Sequence, residues 1–477
     1  MHPEKEDRTF TNQVSARGGA PRVRGCEMSF SLGGKSAYML TEHGDLYGFG
    51  ENDTGQLGLG NFARQSRPVL ISGALAFAGD EVVMSSAGVG HGACVCTSGN
   101  LYTWGTGMFG ELGADISASG KTARNVPERL LPRHFGGYAA LMVACGLDFT
   151  VLVNAAGQVW TCGDGQYGQL GLGDNRGRSE FSMIDSTHFH NSPVGMVSAG
   201  NMHIMAIGRT KSKLFTWGGN SKGQLGHGHY SPVGVPLAVT SSVLDGDSFV
   251  FLDAGDDFSM AVTADGALWV CGNGESGELG VGPTHATVAV LQCAWKARDV
   301  ARPGVCMVAC GTFHTLLLTD NHEVWSTGGG GSSLGTQYTD KHGLEDVPCF
   351  FFQRLDTAYF TTNKIKLIAA GNDTSSAVDE NGGIYLWGRH LHVMGEYWQP
   401  KCIVCSELAT ARIGRWHKPR LDFVLAVFMG CHPRLGAASQ FRHFDEELLR
   451  CILENTSFVA ASGYADGLQV LLGRCEA

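Results

Sequence analysis

The chain has 477 residues, 43% of them hydrophobic, with 35 basic and 45 acidic side chains and a formal net charge of −10. Such a chain can bury a sizeable core, and it has no basic run able to track a phosphate backbone, which argues against direct nucleic-acid binding. The opening "MHPEKEDRTF" lacks the apolar stretch of a secretory signal, and "LDFVLAVFMG" (421–430) is too short to span a bilayer, so the expectation is cytoplasm or nucleus, no membrane association and reduced rather than disulfide-paired thiols.

Residues 1–27 mix basic and acidic groups evenly and are expected to form a flexible arm. Repeats follow over 28–408. The 68 glycines are about twice the usual share of roughly 7% and are spread evenly, which points to many tight turns. A glycine opening a short apolar strand recurs at Gly33, Gly88, Gly146, Gly200, Gly255, Gly311 and Gly371, at intervals of 54 to 60 residues. Each repeat continues with a turn and a second strand carrying an aromatic: Tyr47, Tyr102, Trp160, Phe215, Trp269, Trp325 and Tyr385. Ser98-Gly99, Ala156-Gly157, Asp265-Gly266 and Asn381-Gly382 fall between these two strands and predict two-residue hairpin turns.

A Gly-Gln/Glu-Leu-Gly corner comes next, as in "ENDTGQLGLGN" (51–61), "GDGQYGQLGLGD" (163–174), "GGNSKGQLGHG" (218–228) and "GNGESGELGVG" (272–282). Its leucine (Leu57, Leu112, Leu170, Leu225, Leu279) is expected in the seam between neighbouring sheets. No Lys-Ser/Thr follows these corners and no helical pattern starts there, so they are not phosphate loops. The Lys-Ser of "GGKS" (33–36) has Ser29 where a phosphate loop needs its first glycine. Segments such as "RPVLIS" (67–72) and "VVMSSAG" (82–88) bring the count to four strands per repeat. Seven copies predict an all-β, seven-bladed propeller. Repeat six is degraded ("GGGGSSLGT") and repeat seven loses the corner, so "CEMSFSLGG" (26–34) is expected to close the ring beside "QPKCIVCSEL" (399–408) in a shared blade.

From residue 409 the pattern becomes helical, with Asp445 as an N-cap and Leu448, Leu449, Ile452 and Leu453 on one stripe. This tail (409–477) is expected to fold back on the propeller. Its second helix resembles the opening helix of F-box or suppressor-of-cytokine-signalling boxes, which implies a ubiquitin-ligase scaffold as a possible partner.

The recurring order of strand, aromatic strand and Gly-Gln-Leu-Gly corner resembles the regulator of chromosome condensation repeat family. The resemblance implies a propeller whose turns after the opening glycines face a partner, in the founding member the small GTPase Ran. Here those turns hold Asp148, Asn201, His203, Asp256, Asp257, His314, Asn372 and Asp373, with His91 in repeat two, as a polar, negatively biased docking surface. The main expectation is a non-catalytic platform for a protein partner, and the alternatives are nucleotide exchange on a Ran-like GTPase and a ligase substrate receptor. Of the nine tryptophans, Trp104, Trp217 and Trp387 precede a repeat glycine and Trp160, Trp269 and Trp325 take the aromatic strand slot, which are packing positions, and no Gly-Trp-Arg-His-Thr run of the ultraviolet-sensing branch is present. No cofactor, catalytic set or metal site is expected: "CIVC" (Cys402, Cys405) with Cys431 and His432 lacks standard ligand spacing.

Overall fold

Each repeat carries an inner pair of strands apolar enough to be covered on both sides, and stacking sheets face to face around an axis buries them while leaving the polar fourth strand at the rim. The computed structural model describes residues 29–402 apart from 35, 42–43, 72–75, 115–121, 210–212, 241–248, 285, 297–301, 330, 337–347, 363 and 390–396. It is a ring of seven antiparallel four-stranded sheets, each built from four strands consecutive in the chain. The innermost strands are Ser29–Leu32, Val82–Ala87, Ala140–Cys145, Val194–Ala199, Phe249–Ala254, Val305–Cys310 and Ile365–Gly371. The second strand of every blade is buried along its whole length, because the neighbouring blades cover both of its faces.

The corner leucines sit where the sequence places them: Leu57, Leu112, Leu170, Leu225 and Leu279 are fully buried. The corner also does something the motif does not reveal. Its main-chain carbonyl accepts a hydrogen bond from the next blade at every step from blade 1 to blade 7. Trp104 Nε1 donates to Gln56 O (2.8 Å), Thr150 Oγ1 to Glu111 O (2.7 Å), and Trp217 Nε1 to Gln169 O (3.0 Å). Ser259 Oγ donates to Gln224 O, Thr315 Oγ1 to Glu278 O, and Trp387 Nε1 with Ser375 Oγ to Ser333 O. The degraded corner of repeat six therefore still works: Leu334 is buried and Ser333 takes the glutamine's place.

Two expectations need correction. The ring does not close through a shared blade. Ser29–Leu32 pairs within blade 1, and Tyr397–Cys402 pairs within blade 7, leaving each sheet complete. Blades 7 and 1 are joined instead by Asn372 Nδ2 donating to Gly34 O (2.7 Å) and by the close packing of Gly371 on Leu32. The hairpins are also not two-residue turns. Gly99 N donates to Cys96 O and Cys96 N to Asn100 O, and the same pair of bonds recurs at Gly157, Gly266 and Gly382. The loop thus has three residues, and only its glycine needs a left-handed backbone (φ +75 to +85).

The glycines that open the strands have a steric reason. A Cβ on Gly88 would lie 2.7 Å from Gly146 O, one on Gly146 2.8 Å from Gly200 O, and one on Gly255 2.7 Å from Gly311 O. Each faces the carbonyl of the next opening glycine, so the blades meet backbone to backbone around the channel. The tail at 409–477 and the arm at 1–27 lie outside the described residues.

Candidate functional site

The opening turns and the Gly-Gln-Leu-Gly corners lie on one face. The register requires it: His91 pairs with Gly105, Phe149 with Gly163 and Phe258 with Gly272, so each corner starts beside its blade's turn. Asp164 N donates to Asp148 O, and Asn273 N to Asp257 O, tying turn to corner. At the centre is the mouth of the channel, a cavity of about 520 Å³ whose lining includes the opening glycines with Glu51, Asn201, Asp256, Thr312 and Asn372.

The turns are bonded to one another around this mouth. Leu147 N donates to Asn201 O (3.2 Å), Asn201 N to Asp256 O (3.2 Å) and Thr312 N to Asn372 O (3.0 Å). Asp148, Asn201, Asp256, Asp257, Asn372 and Asp373 are all half-buried on this face. Burial raises the carboxyls of Asp148, Asp256 and Asp257 above the ordinary range. Asp164 adds repulsion at Asp148, Thr312 and Asn201 soften the shift at Asp256, and Lys222 softens it at Asp257. Lys222 is itself held by Glu275 at 2.9 Å, and Gln224 Nε2 donates to Asp257 Oδ1 at 3.0 Å.

The three histidines do not belong to this surface. His91, His203 and His314 are fully buried at the first position of the second strand. Each Nε2 meets a hydroxyl of the next blade: Thr150 Oγ1 (2.9 Å), Ser259 Oγ (2.9 Å) and Ser375 Oγ (2.8 Å). Those hydroxyls already donate to corner carbonyls, so Nε2–H is the donor and the ring is neutral. Burial pushes all three down to about 4. They are pins between blades, and a sequence motif cannot distinguish a buried pin from a surface ligand.

A folded pKa near 4 gives a checkable pH dependence. As pH falls from about 6.5 to 4 the unfolded chain binds protons that the folded chain refuses, so stability declines across that window. One such shift is worth about 3 kcal/mol at the acid end. Asp253 and Glu278, raised by burial to about 6 and about 7, act in the opposite sense, losing their contribution as pH rises through those values. Phe149 and Phe258 fill the histidine seat in blades 3 and 5 and are fully buried. His203→Phe is therefore expected to fold and to lose about 3 kcal/mol less than the parent between pH 6.5 and 4, in urea unfolding at each pH.

Side chains that the motif reading passed over complete the face. Met108 and Phe109 at the blade 2 corner, Tyr167 at the blade 3 corner and Phe313 in the blade 6 turn are exposed, between 41% and 69%. Their signal in the sequence was position: Phe313 stands in the same turn slot as Asp148 and Asp257. Among the described residues no group of three or more His, Cys, Asp or Glu could hold a metal ion, and no helix is long and apolar enough to cross a membrane. Cys405, Cys431 and His432 lie outside the described residues.

The model of the regulator of chromosome condensation (RCC1) repeat matches residues 43–95, 98–153, 156–207 and 211–262, and a second model of that repeat matches 249–278. The chain belongs to the regulator of chromosome condensation repeat family. Blades 6 and 7 lie beyond these matches, where the corners depart from the family pattern. The human E3 ubiquitin-protein ligase HERC2 is 32% identical over 308 residues, covering 63% of this chain and 6% of the ligase. The Arabidopsis thaliana ultraviolet-B receptor UVR8 is 34% identical over 252 residues, covering 53% of this chain and 54% of the receptor. The chain thus spans a small part of one relative and about half of the other. Prp20p of Saccharomyces cerevisiae superimposes with a TM-score of 0.59 at 23% identity, over 72% of this chain and 80% of Prp20p, a likeness of fold.

Proposed function

We propose that this propeller is a docking platform that holds a protein partner across the face bearing the opening turns and corners. The observation that carries the reading is the adjacent pair of half-buried carboxyls, Asp256 lining the channel mouth and Asp257 beside the Gln224 corner, on a face that also exposes Met108, Phe109, Tyr167 and Phe313. Carboxyls kept out of water in this way gain more from an arriving cation than exposed ones do. The contacting set is Asp148, Asn201, Asp256, Asp257, Asn372 and Asp373, with no part for His91, His203 or His314. The competing explanation is that the acids only brace their own turns.

The two separate in one experiment. Proteins retained by the chain are quantified beside Asp256→Asn/Asp257→Asn and beside Arg133→Ala, an exposed change on the opposite face. Docking predicts at least a tenfold loss of a retained partner in the double variant, none in Arg133→Ala, and an unchanged melting temperature in both. Equal retention by all three would assign the acids to the turns alone.

A second reading is nucleotide exchange on a Ran-like small GTPase. It is supported by the acidic turns and by the fold shared with Prp20p, a protein described with binding to Gsp1p and histones. In that reading the face stabilises the nucleotide-free GTPase over the loaded one. Release of labelled GDP from Ran, faster with this protein and not with the double variant, is its test. The ligase-receptor reading draws on HERC2, in which a matching segment forms part of a ligase. It requires residues 409–477, and their removal should abolish scaffold binding and leave other partners in place.

A further inference from the structure

The second residue of each opening turn alternates in kind over five of the seven blades. Blade 3 presents Asp148, blade 4 Met202, blade 5 Asp257, blade 6 Phe313 and blade 7 Asp373. All five occupy the same slot, because each main-chain carbonyl accepts the N–H of the residue after the glycine that ends or nearly ends its blade's third strand: Asp164 N, Gly219 N, Asn273 N, Gly329 N and Arg389 N. The arc therefore reads acid, apolar, acid, apolar, acid. Phe313 is 45% exposed and Met202 is half-buried.

In blades 3 to 6 the kind of residue goes with the packing beneath it. Met202 and Phe313 precede the buried pins His203 and His314, whereas Asp148 and Asp257 precede Phe149 and Phe258. Neither apolar side chain is needed for the inter-blade bond, which the histidine makes. The cations beside the arc include Lys222, paired with Glu275 and drawn toward Asp257, and Arg389, whose main-chain N–H bonds the Asp373 carbonyl.

We infer that the partner contacts this face through a basic amphipathic segment, one whose cationic side chains meet Asp148 and Asp257 while apolar side chains seat on Met202 and Phe313. The inference rests on the docking reading above and specifies the chemistry of its occupant. Charge complementarity selects the sign: the acids of the arc repel an acidic segment. The apolar positions separate this arrangement from a general attraction of cations to a protein of net charge −10.

The test measures fluorescence anisotropy of three labelled synthetic peptides on the full chain: one of lysines and leucines, its lysine–serine counterpart and its glutamate–leucine counterpart. The lysine–leucine peptide is expected to bind at least tenfold more tightly than either of the others. Asp148→Asn/Asp257→Asn should weaken it at least tenfold. Met202→Ser/Phe313→Ser should reduce it to the level of the lysine–serine peptide, with circular dichroism of both variants unchanged. Equal binding of lysine–leucine and lysine–serine peptides, or indifference to Met202→Ser/Phe313→Ser, overturns the inference and leaves the docking face standing. A partner recovered by the chain that ignores the acids of the turns overturns both.

Discussion

Gly88→Ala is expected to destabilise the propeller by about 3 kcal/mol, the upper part of the range for overpacking a tight site. The added methyl would stand 2.7 Å from Gly146 O and 2.6 to 2.7 Å from the His91 ring. The carbonyl belongs to the neighbouring blade's backbone and cannot swing aside as a flexible side chain would. The ring is pinned through Nε2 to Thr150. Relief therefore means spreading two blades apart at the channel. Gly79→Ala is the control. Nothing lies within 4 Å of its Cβ, and only the left-handed backbone (φ +81) opposes the change, at about 1 kcal/mol. Urea unfolding of the two variants should separate them by about 2 kcal/mol, and equal losses would refute the backbone-contact account.

The second large effect is expected at a blade boundary. Trp217→Ala should cost about 4 kcal/mol. The indole is fully buried, packs edge-on against Phe189 at 5.8 Å and donates to Gln169 O across the seam between blades 3 and 4. Its removal leaves a cavity and an unpaired carbonyl in a stack that cannot collapse without moving a sheet. Trp217→Phe, which keeps most of the packing, should cost about 1 kcal/mol for the lost hydrogen bond plus a smaller packing loss. Trp160→Ala should cost less than Trp217→Ala, because that ring is half-buried and its Nε1 has no partner. If Trp160→Ala proved the more damaging, the seam bonds would not be the main brace of the ring.

The architecture was legible because its causes are local and repeated. A corner leucine returns five times and an aromatic at one strand position seven times, at a period of about 55 residues that fits one four-stranded blade per copy. What escaped was chemistry made between blades. In the sequence, Thr150, Ser259, Thr315 and Ser375 look like ordinary strand residues, and their shared role shows only when the preceding corner carbonyl is placed against them. The histidines were misplaced for the same reason: the strand after a turn is normally half-exposed, but here both its faces are covered. Ser98-Gly99 looked like a complete turn because a dipeptide does not record which carbonyl its glycine's N–H will reach. A repeat without its corner suggests an incomplete blade and closure through a shared one, although four strands pair in blade 7 without that corner.

That closure bears on how such rings grow or shrink. Each sheet takes all its strands from one stretch of chain, so duplicating or deleting one repeat of about 55 residues would leave every remaining ladder whole. Only the wedge angle between sheets would have to change. A ring closed through a mixed sheet ties distant parts of the chain together at one joint and resists such edits. Here inheritance of blade number is uncoupled from strand pairing, and the joint between the last sheet and the first is sewn by the same kind of turn-to-turn contact as the others.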